Sequence, residues 1–239
     1  MIFNCPISIE KANLIISVLK LKPTDRVIDL GCGNGEFLSL IQKKYDSDCL
    51  GLDVDASCIT LAKQKAQQHA LTEKLHFELA DVQEVPLEKN SYQLATCIGS
   101  THAFGHGESA YLNSIKKMID LVRPHGLILV GEGYWKQKPV QTYLDFIGDP
   151  VGIYNTHDKN IQQAESLGLI PLYAAISNLD EWDHFEWSFR MNAERQALAE
   201  PKDEKVKKKL ERVRKWNQYY RKFGRETMGF GYYLFMKNE

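Results

Sequence analysis

Long apolar runs are missing from this 239-residue chain. The longest candidate, Leu-Ile-Ile-Ser-Val-Leu at 14–19, falls far short of the roughly 18 residues that span a bilayer, so no membrane span is expected. Met1-Ile2-Phe3-Asn4-Cys5 lacks a basic segment ahead of an apolar stretch and lacks a small-residue cleavage pattern. No secretory signal is read there, and the cytoplasm is the expected compartment. The five cysteines, at 5, 32, 49, 58 and 97, form neither a CxxC pair nor a His-Cys cluster with zinc spacing, which excludes a disulfide framework and a metal site as expectations. Charge of one sign is not in excess. With 30 Lys and Arg against 31 Asp and Glu, the whole chain offers no electrostatic argument for nucleic acid or an anionic membrane. Repeats and low-complexity segments are absent, and 44% hydrophobic with 26% charged residues fits one globular domain over 1–239.

What is present is alternation. β-rich runs at Arg26–Leu30, 49–52, Leu75–Leu79, 93–98 and 127–130 are separated by amphipathic helical patterns at Glu36–Tyr45, 56–69 and 109–121, the signature of βα units on a parallel sheet. The second half differs: 18 of the 25 aromatic residues lie from Tyr134 onward, including all four Trp. A helix is expected near 160–167, a strand at 170–176, two helices within 181–225 and a last strand at 231–236. The stretch 178–226 reads as a helical, aromatic-rich and basic insertion between the last two strands.

The strongest local signal is Val27-Ile28-Asp29-Leu30-Gly31-Cys32-Gly33-Asn34-Gly35, an apolar strand ending in an acid and running into alternate glycines before a helix. Glycines let the backbone turn tightly and approach a ligand, while the helix N-terminus presents free N–H groups. The dinucleotide pattern GxGxxG would need glycine at 36; Glu36 stands there, and an acid would repel a pyrophosphate. A ligand carrying an amine and a sulfonium suits Asp29 instead, which selects S-adenosylmethionine (SAM) over NAD. Asp53 follows 24 residues later and can accept from ribose hydroxyls; Asp81, after the third strand, can accept from an adenine amine while Val82 packs the ring. In an open parallel sheet all three acids belong to the crevice beyond the strand ends.

These residues resemble the class I SAM-dependent methyltransferase family, whose acid-x-GxGxG loop is matched by Asp29, Gly31, Gly33 and Gly35. The resemblance covers roughly residues 10–135, and the last strand also looks like the family's antiparallel seventh strand. It implies a Rossmann-like α/β sheet of seven strands in the order 3-2-1-4-5-7-6, strand 7 antiparallel, with helices on both faces. It also implies cofactor contacts at Asp29, Gly31, Cys32, Gly33, Gly35, Asp53, Val54, Asp81, Val82 and Ile98. Within the family the chain is most similar to small-molecule enzymes of the type that methylate ubiquinone precursors and related metabolites.

Substrate chemistry is expected in the loop after strand four, Gly99-Ser100-Thr101-His102-Ala103-Phe104-Gly105-His106-Gly107-Glu108. His102 or His106 can serve as a base for an in-line displacement, although alignment alone can supply ~7–11 kcal/mol. Glu132, at the expected end of strand five, is a further catalytic candidate, with Tyr134 and Trp135 beside it as pocket residues. Trp182, Phe185, Trp187, Trp216, Tyr219 and Tyr220 read as core of the insertion or as a lid. Asp55 reads as a helix cap and Cys97 as a buried structural thiol. The stretch 202–225 holds eleven Lys or Arg against three acids, yet Val206, Leu210, Val213 and Asn217 recur at helical spacing, so its charges read as a solvated face. The place after strand four lacks the Asn/Asp-Pro-Pro-aromatic sequence of base N-methylating enzymes. The expectation is a small-molecule methyltransferase, monomeric or homodimeric. Its rivals are an RNA methyltransferase using the 202–225 helix and a SAM-binding protein without chemistry.

Overall fold

In the computed structural model, which describes residues 2–148 and 152–239, seven strands form one sheet. They are β1 (Arg26–Leu30), β2 (Asp48–Asp53), β3 (Leu75–Leu79), β4 (Tyr92–Ile98), β5 (Val122–Trp135), β6 (Leu169–Ile176) and β7 (Met228–Lys237), in the order β3-β2-β1-β4-β5-β7-β6. The first five in this order run parallel, and β7 is antiparallel to both neighbours.

Alternation along the central strands sends successive side chains to opposite faces. Val27 and Leu94 join one core with α1 (Ile9–Ser17), α2 (Glu36–Tyr45) and α3 (Ala56–Gln68), while Ile28 and Ala95 join the other with α4 (Glu108–Leu121) and α6 (His157–Ser166). Both faces are therefore covered by helices. A short helix α5 (Gln141–Ile147) packs on Trp135 in a third cluster.

Between β6 and β7 lie α7 (Leu179–Ala199) and α8 (Glu204–Tyr219), then a π-helical turn at Tyr220–Gly224. The Asn178 side chain accepts from the Glu181 N–H, and Glu181 reaches back to the Asn178 N–H, a capping box that fixes where α7 starts. The two helices form an antiparallel hairpin, with Trp216 meeting Glu186 near one end and Lys209 meeting Gln196 near the other. Among the described residues no helix is long and apolar enough to cross a membrane.

β5 is far longer than the apolar run 127–130 suggests. Its second half, with Gly131, Glu132 and Gly133, pairs with β7 as far as Trp135↔Met228. Glu132 consequently sits inside a strand, opposite Gly231, and not at a strand end. The pairing of a neighbour, not local hydrophobicity, keeps this acid-and-glycine segment extended.

Candidate active site

The ends of β1, β2 and β4 open on a cavity of about 290 Å³. Its floor is the turn after β1. Gly31, Gly33 and Gly35 all take positive φ, at 80°, 52° and 74°. At Gly31 the space is also closed: a Cβ there would stand 2.3 Å from Cβ of Ser100, and Ser100 Oγ donates to the Gly31 carbonyl at 3.1 Å. The turn after β1 and the loop after β4 are thereby fastened together. Asp53 fastens the turn from β2, its Oδ2 accepting from the Gly33 N–H at 2.8 Å and its Oδ1 from the Asp55 N–H at 2.9 Å. A carboxylate has about four lone-pair sites, so Asp53 keeps acceptor capacity toward the cavity that it lines.

Asp29 lines the same cavity, yet is only 4% exposed. β1 and β4 pair Asp29 with Thr96, and Thr96 Oγ1 donates to Asp29 Oδ1 at 2.6 Å. Burial pushes the Asp29 carboxyl up to about 7, against the pull of the Thr96 hydroxyl and with the help of the Asp53 charge. A buried acid of this kind is poised to receive a cation, which would restore its ionised form. Glu36 also lines the cavity and pairs with Lys65 Nζ at 2.9 Å.

The chain's first residues close this cavity, a feature absent from the sequence reading. Phe3, Asn4 and Cys5 line it. They are held by Asn34 Nδ2 donating to the Ile2 carbonyl at 2.9 Å, and by the Ser177 hydroxyl donating to the Pro6 carbonyl at 2.5 Å. Farther on, Glu181 accepts from the Ser8 N–H at 3.0 Å and pairs with Lys11. Burial pushes the Cys5 thiol up to about 12.

A second cavity, about 380 Å³, adjoins the first, and Asn4, Cys5, Gly99 and His102 face both. Glu132 lies in its wall, 8% exposed. The Thr101 hydroxyl donates to Glu132 Oε2, and the Gly133 N–H donates to Oε1 at 2.8 Å. Burial pushes this carboxyl up to about 7, opposed first by Thr101 and then by the Gly133 N–H. His106, Tyr111, Trp182, Phe185 and Phe230 supply further wall.

Of the residues singled out from sequence, Asp29, Gly31, Cys32, Gly33, Asp53 and Ile98 share the first cavity, while His106 and Glu132 share the second and His102 touches both. Gly35 begins α2 just behind the lining. Val54 is exposed, and Val82, at 2% exposure, belongs to the core with Ile28 and Leu52. Asp81 caps its own turn, accepting from the Gln83 N–H at 2.8 Å. Tyr134 packs against His157, and Trp135 against Tyr143 and Tyr154, so neither aromatic lines the second cavity as the sequence suggested; Glu132 and Gly133 are the β5 residues that do. Asp55 caps α3 through the Ser57 and Cys58 N–H groups, and Cys97 is fully buried.

This sheet order and the glycine turn define a class I methyltransferase fold. A family model described as a methyltransferase domain matches residues 21–222, and the chain belongs to that family. It is similar to YjhP, an uncharacterised protein of Escherichia coli (strain K12), with 24% identity over 95% of this chain and 90% of that one. The crystal structure of a SAM-dependent methyltransferase from Geobacter sulfurreducens in complex with S-adenosyl-L-homocysteine superposes with a TM-score of 0.89 at 24% identity, covering 98% of this chain and 93% of that one. A probable fatty acid methyltransferase of Pseudomonas putida is 23% identical over 50% of this chain and 30% of its own length.

Proposed function

We propose that the chain binds SAM in the first cavity and transfers its methyl group to a small-molecule acceptor held in the second, with Glu132 accepting the acceptor's proton. The observation that carries this reading is the wall common to both cavities, with a buried carboxyl beyond it. The residues present fit the cofactor. Asp29 is a buried acid awaiting an ammonium group, Asp53 has acceptor capacity for ribose hydroxyls, and Glu36 disfavours a diphosphate at the same turn. Asp81 and Val82 are not in the lining of the first cavity; the sequence motif alone proposes Asp81 for the adenine amine, with Val82 buried beneath that turn.

When bound, SAM supplies a methyl group activated on a sulfonium. The protein's part is to align a lone pair with the carbon–sulfur bond and to receive the proton that the acceptor gives up. Thr101 and the Gly133 N–H fix the two oxygens of Glu132, and a carboxyl near 7 matches the requirement for a general base at neutral pH. His106 and His102, exposed on the loop after β4, are the secondary candidates for that proton.

A small acceptor is favoured over RNA by what α8 does with its charges. Arg214 pairs with Glu194 and Lys207 with Glu204, while Val206 and Leu210 are buried. The helix thus presents a solvated face over a packed one. The direct test is methyl transfer from labelled SAM to metabolite pools and, separately, to total RNA. Label in small molecules only supports the proposal, and label in RNA alone overturns it.

A further inference from the structure

Beside the acceptor cavity lies a smaller space of about 170 Å³, with Tyr154, Trp182, Phe185 and Met228 common to both. Its walls include Tyr143, Tyr154, Trp182, Phe185, Trp216 and Tyr220, and among the described residues one acid, Glu186, lines it. Glu186 is 5% exposed. Trp216 Nε1 donates to its Oε2 at 2.9 Å. Arg225 pairs with Asp183 and Arg214 with Glu194, while Arg212 lines a neighbouring groove that Glu186 and Trp216 also border. The indole N–H of Trp182 is buried without a partner among the described residues.

Aromatic faces carry negative charge at their centres and attract cations, most strongly where water is excluded. A box of aromatic rings bordered by one buried carboxyl that forms no ion pair among the described residues is therefore selective for a positively charged, weakly hydrated group over a neutral one of the same shape. We propose that this box binds an alkylammonium group of the methyl acceptor and so anchors the acceptor with its reacting end in the Glu132 cavity. The proposal rests on the methyltransferase reading above and names its substrate class. Without a cation, burial pushes Glu186 up to about 7, and an ammonium ligand would draw it back toward ionisation.

The test is tryptophan fluorescence and calorimetry with choline and with its neutral isostere 3,3-dimethyl-1-butanol, on the full chain. Choline is expected to bind at least tenfold more tightly than the isostere, and Glu186→Gln to weaken choline at least tenfold while leaving S-adenosylhomocysteine affinity unchanged. Equal binding of choline and isostere by the unmutated chain, or binding of neither, overturns the proposal without recourse to a variant. S-adenosylhomocysteine titration separates the two readings. Loss of the homocysteine complex with choline binding intact sinks the cofactor assignment alone, and the reverse result sinks the ammonium box alone.

Discussion

Thr96 and Asp29 face one another across the β1–β4 pair, the hydroxyl donating to the carboxylate at 2.6 Å. The sheet thereby places a buried acid at the cavity and gives it one neutral donor and, among the described residues, no cation. If the cofactor's ammonium group completes this arrangement, binding must release a proton whenever Asp29 starts protonated. Affinity for S-adenosylhomocysteine is then expected to fall below pH 7, by up to tenfold per pH unit. Thr96→Val, which removes the donor that lowers the carboxyl's pKa, shifts the midpoint of that profile upward. Calorimetry between pH 5.5 and 8.5 checks it; a flat profile excludes Asp29 as the ammonium partner.

Asp53 has two tasks, holding the Gly33 and Asp55 N–H groups and facing the cavity. Asp53→Ala is expected to weaken S-adenosylhomocysteine by a few kcal/mol, the order of lost charge-assisted hydrogen bonds. Unchanged calorimetric affinity would refute the ribose assignment.

Gly31 combines a φ of 80° with a Cβ position 2.3 Å from the Ser100 side chain. Gly31→Ala is expected to cost about 1–3 kcal/mol of stability and to abolish measurable cofactor binding. Adding Ser100→Gly relieves the collision but not the backbone strain, so urea unfolding of the double variant recovers part of the loss and not all of it.

Glu132→Gln keeps the shape of the acceptor wall and removes the base. A loss of about 10²–10⁴ in kcat with unaltered cofactor affinity is expected, together with disappearance of an acidic limb near pH 7. His106→Ala should lower turnover by less. If His106→Ala removes activity while Glu132→Gln retains it, the proton goes to the histidine.

Asp29, Glu132 and Glu186 are each raised to about 7 by burial, against roughly 4 in an unfolded chain. Between those values the native state holds more protons than the unfolded state, so each group lowers stability as pH rises from about 4 to about 7 and adds no further change above. The penalty is on the order of a few kcal/mol per group. Relative to Glu186→Gln, the unmutated chain is expected to lose stability as pH rises from 5 to 8, measured by urea unfolding; a difference that does not change with pH contradicts the burial of a protonated Glu186.

The central strands, the helices between them and the glycine turn were legible because their signals are local: period-two and period-3.6 apolar patterns, and an acid ahead of alternate glycines. The same reading singled out Asp29 and Asp53, which line the first cavity, while Glu132, read at a strand end, lines the second from inside β5. Phe3, Asn4 and Cys5 did not, since their place is set by contacts with Asn34, Ser177 and Tyr232 far along the chain, which no local pattern encodes. Val82 reads as a ring contact in sequence and is a core residue in space, because the turn held by Asp81 directs it inward. The hydroxyls of Thr96 and Thr101 drew no notice in sequence, for a threonine in or after a strand is ordinary until the register shows which acid stands opposite. Glu186 was equally silent, as an acid on a helix is normally solvated and only the packing of α7 on α8 buries it.

Calorimetric titration of the chain with S-adenosylhomocysteine and with NADH, repeated on Asp29→Asn and Asp53→Ala, bears on the site most directly. A one-to-one complex with the homocysteine, weakened by both substitutions, and no complex with NADH is the expected result. NADH bound at the glycine turn, with S-adenosylhomocysteine giving no heat at all, would contradict it.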